Sequence, residues 1–458
     1  MASEHRITES NPIHSLGYMD YERCAALHNE LFIRGWTGSG NTWVEPPTWW
    51  EKYSPTEKFA NRLHPSLIKF LKLAYHIPRE SRKVEHKWKC IFYFISSLSG
   101  AEYMLSRLGV DFEFLGYAPD RFLLLYPSTG YRLGDEEGIV FDQHTLKATY
   151  IPFTDNTSAI CQHEWGWMPL EVILDAYLQM ADEGKVSIMR DFSIRDYYEK
   201  TGHYPVIEDP WMMNFYTKID VSKAVAALHR LVDAIDIRIG NSSRPNMPLP
   251  WHDPVTLNPE LVAPSSFTHE FLSAISVCTV RFQYLAPGIR FPTVSEFLDQ
   301  PFTKTNTDDG LLRLFRIDYK EEQQPEACQQ IRISGFYIDQ LVEMHPFYFP
   351  NGSQLYLPFE IGANGWARMS NGEPLSVNPE DENPTPRNDN SSLYQSGWIN
   401  GFVNYRLVQI HKVLESWAER VEKGDWEVGD DGVLGGIDKF READTEEHWR
   451  KYWIPPSW

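Results

Sequence analysis

Residues 121–153 read RFLLLYPSTGYRLGDEEGIVFDQHTLKATYIPF. Short apolar runs rich in aromatic and β-branched residues alternate there with the polar breaks STG, GDEEG and DQHT. Runs of that length, punctuated by turn formers, predict an antiparallel β-meander with strands at about 121–126, 138–142 and 147–152. The segments on either side have a different period. Leu170, Ile173, Leu174, Tyr177 and Leu178 recur at helical spacing, and Gly184 follows as a C-terminal stop. Val221, Val225, Leu228, Val232, Ile235 and Ile239 do the same over 220–239, with Asp220 or Ser222 as the cap and Gly240-Asn241 as the stop. Helices beside a meander, without alternating βαβ units, define an α+β chain.

Further toward the N-terminus, helices are expected at 65–75 and 86–108, the second on the stripe Trp88, Ile91, Phe92, Ile95, Leu98, Tyr103 and Leu105. The first 60 residues hold one helix, over 21–34. The rest, with Trp36, Trp43, Trp49 and Trp50 among Gly and Pro, is expected to wrap over another element. Toward the C-terminus, the proline-rich stretch 241–265 reads as a crossover between an N-terminal lobe (1–240) and a C-terminal lobe (266–458), two packed α+β lobes. In the second lobe, 267–284 reads as helix, 311–319 and 352–366 as strands, and 399–423 as a long amphipathic helix. A last acidic helix carries Trp449 and Trp453. The polar, acidic stretch 371–392 is expected to be a disordered surface loop.

The chain of 458 residues has 16 Trp, 23 Tyr and 25 Phe, enough apolar material for a large core without disulfides or metals. Its 63 acidic residues outnumber 43 basic ones, for a net charge of −20. That balance argues against nucleic acid or an anionic membrane as partner. No stretch approaches the roughly 18 apolar residues of a membrane span. Cys24, Cys90, Cys161, Cys278 and Cys328 are odd in number and widely spaced, without a CxxC. They read as free thiols in a reducing compartment, so the cytoplasm is the expected location.

Motifs that carry chemistry are sparse. His163-Glu164, in CQHEWGWMPLE, sets an imidazole beside a carboxylate, a pairing suited to acid/base catalysis; a packed turn explains it equally. No second His follows, so HExxH is not met. His229, Asp233 and Asp236 share a helical face that could hold a cation or simply face water. Glu427–Asp438 has a partial EF-hand pattern, with Glu at position 1 and Gly429 at position 3, and otherwise reads as a glycine-rich turn. The glycines of TGSGN (37–41) lack the Lys-Ser/Thr of a phosphate loop. Arg281, Arg290 and Arg368 lie in the aromatic settings RFQYLAPGIRFP and GWARM, where a guanidinium can hold a carboxylate or phosphate. No metal and no organic cofactor is expected.

Taken together, HEWGWMPLEVILDAYLQMADEGKV, DPWMMNFYTKIDVSKAVAALHRLVDAIDIRIG, RFQYLAPGIRFPTVSEFLDQPF and GGIDKFREADTEEHWRKYWIPPSW resemble a widespread family of uncharacterised ascomycete proteins of similar length. The resemblance runs along the whole chain. It implies a filamentous-fungal origin and a role among lineage-specific or biosynthetic proteins, and it brings no assigned activity. The arginine-containing cyclodipeptide synthases carry a DDxxE motif. Here Asp308-Asp309 is followed by GLL and Asp430-Asp431 by GVL, so that motif is not met.

The expected function is a soluble fungal enzyme acting on a small organic molecule in specialised metabolism. The expected site lies where the His163-Glu164 turn, as the catalytic pair, meets Arg281 and Arg290, as the substrate-binding pair. The alternatives are a non-catalytic module that binds a protein partner and an arginine-containing cyclodipeptide synthase-like enzyme without the DDxxE motif. A cavity of several hundred Å³ lined by aromatics and a convergent Arg or His favours the first. A flat exposed aromatic patch favours the second.

Overall fold

A computed structural model describes residues 2–76, 90–105, 117–118, 120–128, 138–151, 166–189, 193, 195, 199, 206–208, 210–240, 244–300, 311–319, 333–339, 351–375, 392–397, 402 and 407–458. The fold is α+β, with helices beside several antiparallel sheets. The chain divides into two compact units. One comprises Met1–Asn214 with Ile399–Asn404 and Trp458; the other comprises Phe215–Trp398 with Tyr405–Ser457. The division falls before the helix over 218–239, so the proline-rich stretch expected as a crossover lies inside the second unit.

In the first unit, helix α1 (Tyr21–Gly38) starts at an Asp20 side chain that accepts from the Arg23 amide. It packs on α2 (Pro65–Leu73) and α3 (Leu170–Asp182). Trp49, in the Trp-rich N-terminal stretch, is fully buried and donates through Nε1 to the Ser99 carbonyl at 2.7 Å.

The expected helix over 86–108 is corrected within its described part. β1 (Cys90–Phe92) and β2 (Ile95–Ser96) form a tight antiparallel hairpin, and helix resumes only at 101–105. The run CIFYFI is buried on all sides, so its apolar residues match a helical stripe and a strand equally well. Phe92 stacks on Tyr177 of α3, with ring centres 4.6 Å apart, and also meets Trp211.

The meander is present. β3 (Phe122–Pro127), β4 (Gly138–Asp142) and β5 (Lys147–Ile151) pair in sequence order, with Leu124 opposite Val140 and Val140 opposite Thr149. Gly138 sits at φ +146°, and a Cβ there would run into the Tyr126 carbonyl. A second small sheet orders β6 (Val186–Ile188), β8 (Trp211–Met213) and β7 (Val206–Glu208).

The second unit begins with helix α4 (Lys218–Ile239). Its cap is Thr217, three residues before Asp220 and five before Ser222, the two expected caps, in a capping box whose other half is Asp220. Two short strands follow α4: β9 (Met247–Pro248), and β10 (Thr279–Val280), which pairs with it. Between them, helix α5 (Phe267–Ile275) ends nine residues before its expected limit. The β-branched residues after it go to β10 instead of continuing the helix.

An eight-stranded sheet builds the rest. Its strands are β11 (Tyr284–Ala286), β12 (Ile289–Arg290), β13 (Leu311–Ile317), β14 (Gly335–Asp339), β15 (Ser353–Tyr356), β16 (Ser392–Leu393), β17 (Val428–Gly429) and β18 (Gly432–Val433). They lie in the order β16-β15-β14-β13-β12-β11-β18-β17, antiparallel except for β11 beside β18. The strand expected over 352–366 is therefore only β15, and an irregular loop with Gly362 and Gly365 at positive φ follows.

Helix α6 (Ile410–Lys423) starts eleven residues later than expected and packs along α4. Leu228, Leu231 and Ile235 of α4 share one core with Val413, Leu414 and Trp417 of α6. Arg230 forks onto the Glu422 carboxylate at 2.9 and 2.7 Å. The expected last helix is a 3₁₀ segment, Ile437–Asp444, and a single turn, Trp449–Tyr452. The described ends of the stretch expected to be a disordered loop are packed: Asn371, Glu373, Leu375 and Ser392 are all buried. Residues 376–391 lie outside the described residues. Among the described residues, no helix is long and apolar enough to cross a membrane.

Candidate functional site

His163 and Glu164 lie outside the described residues. Arg281 and Arg290 are described, and both guanidinium groups are committed to carboxylates. Arg281, just before β11, pairs through Nε with Asp236 of α4, and its Nη2 reaches the Asp236 carbonyl at 3.1 Å. Arg290, at the end of β12, forks onto Glu296 at 2.8 and 2.6 Å, and its Nε meets Asp318 at 2.6 Å. Hydrogen bonds from Arg290 hold the Glu296 carboxyl down at about 2. Glu296 also closes the capping box of the short helix Val294–Leu298 with Thr293. A ligand at either arginine would have to displace these partners.

The cation readings resolve similarly. Asp236 belongs to Arg281, and His229 Nε2 lies 3.0 Å from Cys278 Sγ. Glu427–Asp438 is the β17–β18 hairpin followed by Gly435-Gly436. Its Asp431 pairs with Arg244 and its Asp438 with Arg441.

Two groups of polar side chains sit in the first unit. Cys24 donates to Glu171 Oε2 at 3.5 Å, and burial raises both the thiol and the carboxyl. Cys24 is thus a protonated structural thiol. His76 lies between two hydroxyls, Ser97 Oγ at 3.3 Å from Nδ1 and Tyr53 OH at 3.2 Å from Nε2.

A cleft of ≈ 460 Å³ opens in the second unit. It is bordered by Phe359, Glu360 and Ile361 after β15, by Ala363 and Asn364 in the following loop, and by Arg441 and Asp444 of the 3₁₀ segment. Asp444 fixes this architecture. Its Oδ2 accepts from the amides of Gly362 and Asn364 at 3.0 and 2.8 Å, and its Oδ1 from those of Trp366 and Ala367 at 2.9 and 3.0 Å. Asn364 Nδ2 returns a bond to the Asp444 carbonyl at 3.1 Å. Four N–H donors on one carboxylate turn an irregular loop into a rigid wall.

Over that wall, the Arg441 guanidinium stands 3.7 Å from the Phe359 ring centre. Its ion pair with Asp438 is more than half exposed and so weak. Glu360 has no hydrogen-bond or ion-pair partner among the described residues. With Asp444 saturated, Glu360 is the lining carboxylate left to exchange a proton or meet a ligand.

The sequence reading missed this site. The Asn364-Gly365 dipeptide marks a turn, but nothing local ties it to Asp444, 80 residues further on. No protein-family profile, curated protein or solved structure matches this chain.

Proposed function

We propose that this chain is an enzyme acting on a small organic molecule, with its substrate held in the cleft beside Phe359 and Arg441. The observation that carries the reading is the cleft itself: ≈ 460 Å³ is the size of a small-ligand site, and its wall is preorganised by Asp444. Phe359 offers an apolar face and Arg441 an anchor for a carboxylate or other acceptor group. Glu360 takes the acid/base role assigned from the sequence to His163-Glu164. The free thiols Cys24, Cys90 and Cys278 support a soluble protein of the cytoplasm. The family resemblance of the sequence supports a role in fungal specialised metabolism.

The test is to incubate purified protein with fractionated fungal metabolite extract and follow conversions by mass spectrometry. The expected result is one substrate class consumed by the wild type. Glu360→Gln should abolish turnover while leaving substrate binding within about twofold, since proton transfer is lost and the anchor is kept. A Glu360→Gln variant that turns over at the wild-type rate overturns the assignment.

A further inference from the structure

The three arginines singled out in aromatic settings differ in one respect. Arg281 and Arg290 are neutralised by carboxylates, whereas Arg368 pairs with none among the described residues. Its Nη1 donates to two backbone carbonyls, Gly365 O at 2.6 Å and Ala367 O at 3.3 Å, and the guanidinium carbon stands 5.2 Å from the Trp449 ring centre. The side chain is half-buried, and desolvation lowers its basicity. The carboxylate that acts on it electrostatically is Asp444, whose oxygens are taken by four amides.

A second guanidinium shares the same ring. Arg450 lies 4.7 Å from the Trp449 centre and makes no ion pair among the described residues. Glu446, four residues before it in a turn, makes no ion pair with it among the described residues, and Glu447 faces His448 at 3.7 Å. Trp449 Nε1–H is buried and has no acceptor among the described residues. In a chain of net charge −20, two like charges without carboxylates beside one orphaned N–H donor are an unbalanced arrangement. An oxyanion would balance the charge, taking N–H donors from the guanidinium groups beside the ring.

We propose that Arg368, Trp449 and Arg450 form a binding site for the oxyanion group, carboxylate or phosphate, of a small solute. None of the three residues lines the cleft at Phe359, and the proposal does not depend on the function proposed for that cleft.

The experiment uses the full chain labelled with 5-fluorotryptophan. The Trp449 resonance is assigned by Trp449→Phe and followed by fluorine NMR during separate titrations with inorganic phosphate and with benzoate. A saturable shift of that resonance is expected, weakening as salt is raised. Response to phosphate alone assigns a phosphate ester, and response to benzoate alone an organic carboxylate.

Arg368→Gln and the exposed Arg450→Gln should each weaken binding roughly tenfold or more. Arg195→Gln, which removes an exposed positive charge in the other unit, should leave it unchanged. A Trp449 resonance unmoved by both anions overturns the site. So does Arg450→Gln binding as tightly as the wild type, an outcome that stands even if Arg368→Gln fails to fold.

Discussion

His28 shows how a single residue in this core is fixed by hydrogen-bond arithmetic. It is fully buried on α1, with Nε2 at 2.8 Å from the Tyr75 carbonyl and Nδ1 at 2.9 Å from Tyr126 OH. A carbonyl only accepts, so Nε2 carries a proton. Burial lowers the ring's pKa from 6.5 to about 4, so at neutral pH the ring is neutral and Nδ1 accepts from the tyrosine. A folded-state value below the unfolded one means that this stability is present above pH 6.5 and is lost as the pH falls through about 4. At full titration the loss is on the order of 3 kcal/mol. Urea midpoints between pH 7 and pH 4 should fall more steeply for the wild type than for His28→Gln, which cannot titrate. Equal slopes for the two proteins would show that the ring does not take up its proton on unfolding.

At the scale of elements, the decisive contact is the one between the 3₁₀ segment Ile437–Asp444 and the loop after β15. The Asp444 carboxylate accepts four backbone amides and is buried. Asp444→Asn would turn an NH₂ group toward two of those donors and remove the charge. The expected cost is about 3 kcal/mol, since buried hydrogen bonds to a charged group are replaced by opposed donors. Amide exchange at 362–367 should accelerate selectively in that variant. Unchanged protection there would mean that the loop is held by something other than Asp444.

Elements of this fold were legible in the sequence wherever pattern is local. The meander matches its expected strands within one residue, and Tyr21 and Ile239 fall where α1 and α4 were expected to begin and end. Legibility failed at Cys90–Ser96, where burial on every side erases the difference between the two periods. It failed again at 276–284, where β10 draws residues from the end of the helical pattern by pairing with β9. The cleft was not legible, because Phe359 and Arg441 meet only through the tertiary fold. Of the arginines, composition identified the three settings, but only the pairing partners separate Arg368 from the other two.

At the scale of the whole molecule, each unit has its own aromatic packing. Phe92, Tyr177 and Trp211 lie at the centre of the first; Trp417, Phe336 and Phe440 lie in the second. Most of the described aromatic residues are thus buried in cores. In a chain of net charge −20, most of the described arginines pair with a carboxylate, and Arg441, Arg368 and Arg450 are among the less committed cations.

The central claim is that the cleft bordered by Phe359, Glu360 and Arg441 holds a small organic molecule. Saturation-transfer NMR of the intact protein against a library of small organic acids and aromatic metabolites tests it most directly, with wild type, Phe359→Ala and Arg441→Ala run in parallel. The account predicts at least one ligand class whose signal on the wild type falls by about tenfold in affinity with either variant, because each removes one half of the stacked pair. Ligands that bind all three proteins equally, or a library with none that binds the wild type, would contradict it.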